Sequence, residues 1–309
     1  MKFKKVIALA MTAMIGLSTV ACGEKEKPTQ KLTMGVMGSI DAVPMVIADE
    51  KGYFAEEGLD IDLQIFKAAK DRDAALTSGA LDGVLADEVA ISIYQNSDID
   101  MKITGTTNGW WILVAGKDSG IKSVSDLKGK KVGISKNTMI EYVVEDILVD
   151  NGMKAEDIEE VVIPPMPSRL EALRNGDIDA ALLPAPFNDL AIADGGIEIT
   201  KVVNEEAMIS TTAFLQETID NKKEEVKAFY RAYNKAIKYM NETDISEYED
   251  VLIRVVGYSE DMRGNIILPE FKVNYLPSEA KVQEVFDWST ANGLLTKDIK
   301  AKDVIVEVK

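Results

Sequence analysis

The sequence predicts an α/β protein built as two similar lobes, and three observations carry that prediction. From Leu32 onward, short apolar runs alternate with helix-like segments, the pattern of largely parallel sheets flanked by helices. Leu76, Gly79, Asp82 and Leu85 recur as Leu173, Gly176, Asp179 and Leu182 at a constant offset of 97, and Arg72 and Arg169 share that offset. A period this long is no solenoid repeat and marks two related units. After about residue 204 the pattern turns to long helices, so the chain comes back to complete the unit it began with.

In the first unit the apolar runs at 32–38, 60–66, 82–87 and 101–107 predict strands. Helical spacing predicts helices at 44–57, 71–78 and 89–95, the first two closed by Gly58 and Gly79, where a helix end favours a left-handed residue. The second unit repeats the plan, with strands at 130–135, 160–165 and 177–184 and helices at 139–150 and 169–174. Beyond them, helices are expected at 222–241, 247–257 and 278–291, the last closed by Asn292 and Gly293. Val226, Phe229, Tyr230, Tyr233, Ile237 and Met240 form one apolar stripe and read as packing surface. The expected topology is a discontinuous first lobe, 32–116 plus 205–309, and an inserted second lobe, 117–204, with two interlobe crossings as a hinge.

The N-terminus is built differently. Lys2, Lys4 and Lys5 precede an uncharged run from Val6 to Ala21, which is shorter than the roughly 20 residues a membrane-spanning helix needs. This reads as an export signal over 1–21. Cys22 is the only cysteine, so no intramolecular disulfide can form. Thr19-Val20-Ala21-Cys22 resembles the lipobox of bacterial lipoproteins, with Thr19 where leucine is commonest. The resemblance implies lipidation of Cys22, an extracytoplasmic location and a lipid anchor to the cell membrane. The polar stretch 22–31 then serves as a tether. The net charge of −17, more acidic still once the leader's lysines are gone, argues against nucleic acid or anionic lipid as partners.

Three further stretches carry a family resemblance that covers nearly the whole chain after the leader. Pro44 to Asp60 (PMVIADEKGYFAEEGLD), Asp126 to Ile134 (DLKGKKVGI) and Phe286 to Leu295 (FDWSTANGLL) resemble segments of the solute-binding proteins for nitrate, sulfonates, taurine and thiamine precursors. The resemblance implies a periplasmic-binding-protein fold of type II, with two crossings. It also implies ABC permease and ATPase subunits as partners, a small-molecule ligand and no cofactor. A monomer is expected.

Ligands of open parallel sheets bind beyond the carboxyl ends of the strands. In the first lobe that rule selects Gly38, Ser39, Ile40 and Asp41, then Asp87 and Glu88, then Asn108, Gly109 and Trp110. In the second it selects Lys136, Asn137 and Thr138, then Pro165 and Met166, then Pro184, Ala185 and Pro186. Thr138 and Glu141 have capping-box spacing, which places a helix N-terminus and its anion-attracting NH groups at the cleft. Asp87 and Glu88 stand where the second lobe has Pro184 and Ala185, so carboxylates face a neutral wall. With Asp41, they suggest a cationic or donor-bearing ligand such as an amine or aminopyrimidine. Adjacent Trp110 and Trp111 point to opposite faces of a strand; Trp110 is the expected ligand platform and Trp111 the expected packing residue.

Two other functions compete. The same fold resembles that of thiamine-pyrimidine and menaquinone-pathway enzymes, yet the chain has no histidine, its cysteine sits at the lipidation motif, and it lacks GxSxG, phosphate-loop and calcium-loop patterns. No catalytic or metal-ligating set is therefore expected. A ligand sensor would need a separate signalling partner, since no signalling domain is legible in the chain.

Overall fold

The computed structural model describes residues 30–203 and 210–308. The expected leader, Cys22 and the tether up to residue 29 lie outside the described residues. Lys31, expected to end the tether, instead opens the first strand. Gln30 is already fastened: its backbone N–H donates to Glu225 Oε1 and its side-chain amide to the Asn221 carbonyl, both at 2.9 Å.

Two five-stranded mixed sheets organise the molecule. The first has the order β2-β1-β3-β10-β4, with β1 Lys31–Met37, β2 Asp60–Phe66, β3 Gly83–Ala86, β4 Met101–Thr106 and β10 Thr211–Leu215. The second has the order β7-β6-β8-β5-β9, with β5 Trp110–Ala115, β6 Lys131–Ile134, β7 Glu159–Val162, β8 Ala180–Pro184 and β9 Ile197–Val203. Each sheet has one antiparallel strand in fourth place, β10 between β3 and β4 and β5 between β8 and β9. The chain crosses from one sheet to the other twice, through Thr107-Asn108-Gly109 and between β9 and β10.

The first crossing corrects the expected boundary. β5 pairs with β8 and β9 of the second sheet, so 110–115 leaves the first unit and the crossing falls at 107–109 rather than at 116.

The 97-residue repeat is architectural. Asp82 and Asp179 occupy equivalent turns, where a carboxylate oxygen accepts from the backbone of β1 and β6 respectively: Thr33 N at 2.7 Å and Lys131 N at 2.8 Å. Gly79 and Gly176 both adopt left-handed geometry, φ 77° and 75°, which only glycine takes without strain.

Helices cover both faces of both sheets, as alternating side chains require. Leu32, Met34, Val36 and Leu85 pack under α1 (Val43–Glu50), α2 (Tyr53–Glu56) and the amphipathic α9 (Lys223–Glu242). Val84, Ala86 and Ile103 face α3 (Ala69–Thr77), α4 (Glu88–Asn96) and α11 (Glu279–Ala291). In the second sheet Val132, Ile134 and Leu182 pack on α5 (Met139–Asp150), while Ile112, Val114, Ala181 and Leu183 pack on α6 (Met166–Asn175) and α7 (Phe187–Ala193). α8 (Gln216–Asn221), α10 (Glu249–Val251, continued by a π turn at Leu252–Val256) and α12 (Ala301–Val304) complete the set. The single helix expected at 44–57 is broken in two by Gly52, held at φ 73°. Among the described residues, no helix is long and apolar enough to cross a membrane.

Candidate ligand site between the two sheets

The carboxyl ends of the two sheets meet. Ala185, just past β8 of the second sheet, is buried in the same apolar cluster as Ile40 of the first. Val89 of α4 is buried with Met139, Tyr142 and Val143 of α5. Tyr258 donates its hydroxyl hydrogen to Asp189 Oδ2 at 3.1 Å across the gap. On the first-lobe side, strand ends deliver Ser39–Asp41, Asp87–Glu88 and Thr107–Asn108 to this seam. On the other side they deliver Trp110, Ser135–Thr138, Met166 and Pro184–Ala185.

The first lobe's acids fall into two kinds. The Asp41 carboxylate is already engaged, one oxygen accepting from the Ser39 hydroxyl and the other from the Ser210 hydroxyl, while Thr107 Oγ1 donates to the Asp41 carbonyl at 2.8 Å. This knot ties the β1 loop to both crossings. Asp87 caps α4, its Oδ1 accepting from Ala90 N at 2.8 Å; burial still pushes its pKa up, against that N–H and the nearby Arg72 guanidinium. Glu88 differs from both. It is 0% exposed, and neither carboxyl oxygen has a hydrogen-bond partner among the described residues. Burial, reinforced by the neighbouring Asp87, drives its pKa well above the usual carboxylate value.

At the first crossing, Asn108 Oδ1 accepts from Lys272 N at 2.8 Å, so this residue latches the hinge to the long loop after α10. Trp110 and Trp111 do split between faces: Trp110 is buried with the α6 and α7 side chains, Trp111 packs against the α5 side. The Trp110 ring, expected as an open platform, carries the Lys201 ammonium 3.7 Å from its centroid. Its Nε1–H is buried without an acceptor among the described residues. A cavity of about 290 Å³ lies beside it, lined by Gly109, Trp110, Lys201, Val203, Leu268 and Lys272 among others.

In the second lobe, exposed Asn137 takes a left-handed φ of 58°. Thr138 caps α5, accepting from Ile140 N at 3.3 Å. The reciprocal half of the expected capping box closes one residue early, because Glu141 Oε2 accepts from Asn137 N at 2.5 Å rather than from Thr138. The helix end expected to attract an anion therefore holds its own carboxylate, which also pairs with Lys136 Nζ at 2.7 Å. Glu141, Glu145 and Glu160 lie close enough together to hold a cation, but Lys136 bridges Glu141 and Glu160, and Trp288 Nε1 donates to Glu145 at 2.7 Å. Met166 lies under the seam, its sulfur accepting from Arg169 Nη1 at 3.4 Å. Pro184 ends β8, opposite Trp111.

Three buried groups, Asn188, Arg169 and Ser135, were not singled out from sequence as site residues. Asn188, 0% exposed at the start of α7, accepts from Asp189 N at 2.6 Å through Oδ1, which leaves Nδ2 buried without an acceptor among the described residues. Arg169 lies fully buried beneath the ends of β6, β7 and β8, and Ser135 accepts from its Nη2 at 2.5 Å. The repeat pointed to Arg169; the signal left unread was its neighbour, Leu170 where the first lobe has Asp73.

Comparison with known proteins places this architecture. Residues 39–246 match the family model described as NMT1/THI5 like. A Bacillus subtilis protein named for the binding of aliphatic sulfonates is 24% identical over 321 residues, covering 97% of this chain and 93% of the relative. The crystal structure of the periplasmic aliphatic sulphonate-binding protein SsuA from Escherichia coli superposes with a TM-score of 0.76 at 18% identity, over 90% of this chain and 97% of that one. The desulfurization enzyme DSZB superposes with a TM-score of 0.66 at 14% identity, over 90% and 97% of the two chains. The fold is thus that of the periplasmic binding proteins, and the family match extends from the first strand's loop through α9: this chain belongs to the NMT1/THI5-like family.

Proposed function

We propose that the protein is the extracytoplasmic solute-binding component of an ABC importer, closing its two lobes on a small organic molecule and delivering it to a permease driven by an ATPase. One observation carries this reading. Buried polar side-chain atoms nearly always find hydrogen-bond partners, yet among the described residues the Glu88 carboxyl, Trp110 Nε1 and Asn188 Nδ2 have none, and all three belong to the ends of the sheets that face each other, whereas the other such atoms, on Tyr233, Asn274 and Ser289, belong to α9, the loop before α11 and α11 itself. Groups orphaned in this way on both sides of a seam are what a ligand held by both lobes would satisfy. Closure then follows from binding, because only the closed arrangement lets both sets of groups touch the solute.

The relatives named for aliphatic sulfonates make sulfonates the first solutes to test, and the carboxylates at the seam make amines and pyrimidines the second. Thermal-shift screening against these classes reads binding directly, since a solute selective for the folded state raises Tm by mass action. A Tm unmoved by every class, with a radius of gyration that no solute contracts, would remove the reading. Binding without turnover is the expected outcome, because the chain has no histidine and the seam offers no activated nucleophile; recovery of a chemically altered solute would favour an enzyme on the fold shared with DSZB. Lipidation of Cys22 is the anchor we propose, and Cys22→Ala is expected to release the protein from membranes into the soluble fraction.

A further inference from the structure

Side chains of the two lobes meet at three places, and at each a carboxyl group withdrawn from water has no cation bonded to it among the described residues. At the start of α4, Glu88 is 0% exposed with neither oxygen partnered among those residues, and its neighbour Val89 is buried against Met139, Tyr142 and Val143 of α5. Further along α5, half-buried Glu145 accepts from the Trp288 indole N–H of α11 at 2.7 Å. At the third place half-buried Asp189 of α7 accepts from the Tyr258 hydroxyl at 3.1 Å. Both donors are neutral, and both come from the opposite lobe.

The charges facing these groups do not offset their burial. Glu88 has Asp87 beside it on α4 and Tyr142 across the gap, where the Glu88 charge helps to raise the tyrosine's pKa; α11 packs there through apolar Val285. Glu145 faces Glu141 of its own helix and Glu160 of β7, against which stands Lys136, already paired with both. Its neighbour Asp146 faces Lys281 and Glu284 of α11, one of each sign. Asp189 has Lys201 in its favour and Glu198 against it. Burial is the largest influence on Glu88, Glu145 and Asp189, and it pushes all three pKa values up. Parting the lobes would strip the α5 side chains from the start of α4 and the Trp288 and Tyr258 donors from the other two carboxyls. Water would replace them, and a hydrated carboxyl is ionised at neutral pH.

We propose that closure of the lobes is coupled to proton uptake: Glu88 and Asp189 hold a proton when the lobes touch and lose it when they part, so acid pH closes the ligand-free protein and alkaline pH opens it. This rests on the reading that the lobes open and close, and is independent of which solute they close on. Contact raises both pKa values above their hydrated values, near 4.5 for Glu88 and 3.8 for Asp189. The contribution favouring closure is therefore fully present below those hydrated values and is lost as pH rises through the values of the closed form. Raising one carboxyl's pKa by one on closure lowers the closed-to-open ratio about ten-fold once that carboxyl is ionised in both forms. Glu145 acts in the same direction.

Small-angle scattering of the ligand-free protein across the range from acid to mildly alkaline pH, at constant ionic strength and with cooperative melting checked at each pH, tests this. The radius of gyration is expected to grow as pH rises. In Glu88→Gln combined with Asp189→Asn, whose amides cannot ionise and can still accept from Tyr258, most of that growth should vanish and the protein should keep the parent's acid-pH radius. Asp71→Asn combined with Glu156→Gln removes the same two charges from exposed positions, one on each lobe, and should leave the parent's response intact. If the first double variant does not fold, Asp189→Asn alone, at a half-buried position, should still reduce the growth. A parent radius that does not change with pH would overturn the proposal. So would growth that survives in the interlobe variants, or growth that the exposed pair abolishes, which would assign it to repulsion over the whole acidic chain. None of these outcomes touches the solute-binding reading, whose own test is contraction by a solute.

Discussion

Glu88 is the residue whose environment departs furthest from what water would give it. An ionised carboxylate with no partner in the protein interior is disfavoured, so in the ligand-free state the neutral form prevails over an extended pH range. The direction of the pH effect follows. The folded-state pKa lies above the ordinary 4.5, so the folded form holds the proton more tightly than the unfolded chain. That contribution to stability is fully present below about pH 4.5 and is lost as pH rises through the folded value. Glu88→Gln cannot ionise, so it is spared this loss and should be the more stable of the two proteins at pH 7. Melting curves from pH 4 to 8 check this: the two proteins should converge at the acid end and separate toward neutrality. Asp87 shifts in the same direction but is present in both, and Tyr142 across the seam has its own pKa raised, so neither can mimic the difference. Sequence placed Glu88 at the seam from its position after β3. It could not say that Asp41, an acid of equal promise, would be consumed by Ser39 and Ser210, because Ser210 lies 169 residues away in the chain.

At the scale of elements, the legible parts were those whose signals are local. α5 runs from Met139 to Asp150 as its periodicity indicates, and the stripe from Val226 to Met240 is buried along α9. The parts not legible were those defined by partners. β5 reads WWILVA, apolar throughout because both its faces are covered, so alternation is absent, and its ladder partners β8 and β9 follow far downstream. β10 is likewise a short strand that returns to a sheet begun at residue 31. Exchange of these antiparallel strands between the units is why the boundary expected at 116 moved to 107–109. The repeat supplies a matched test of element packing. At Gly133 an added Cβ would lie 2.6 Å from Ile178 Cδ1 and 3.1 Å from Arg169 Cγ, and at Gly35 it would lie 2.6 Å from Leu81 Cδ1 and 3.3 Å from Arg72 Cγ. Overpacking of this kind costs about 1–3 kcal/mol, so Gly133→Ala and Gly35→Ala should lower stability comparably.

At the scale of the whole molecule, the contacts between lobes set how readily the seam opens. Tyr258 and Asp189 form one such contact, and burial has already raised the Asp189 pKa, with the Tyr258 hydroxyl and Lys201 acting against the shift. α11 supplies another: Trp288 donates to Glu145 at 2.7 Å and stacks edge-on with Tyr142 at 5.6 Å between ring centroids. Neither tie includes a group proposed to touch the solute, so their effect on affinity has to pass through the balance of open and closed forms. A solute that needs the closed form binds with an apparent affinity scaled by the population of that form. Removing a partly buried hydrogen bond costs about 1 kcal/mol, which corresponds to roughly a five-fold shift in that population. Tyr258→Phe deletes the hydroxyl and little else. It should weaken solute binding by up to that factor, enlarge the ligand-free radius of gyration in solution scattering, and leave the radius at saturating solute unchanged. Weaker binding without expansion of the free protein would place Tyr258 in the binding surface itself, and an unaltered affinity would mean that its bond to Asp189 does not bear on closure.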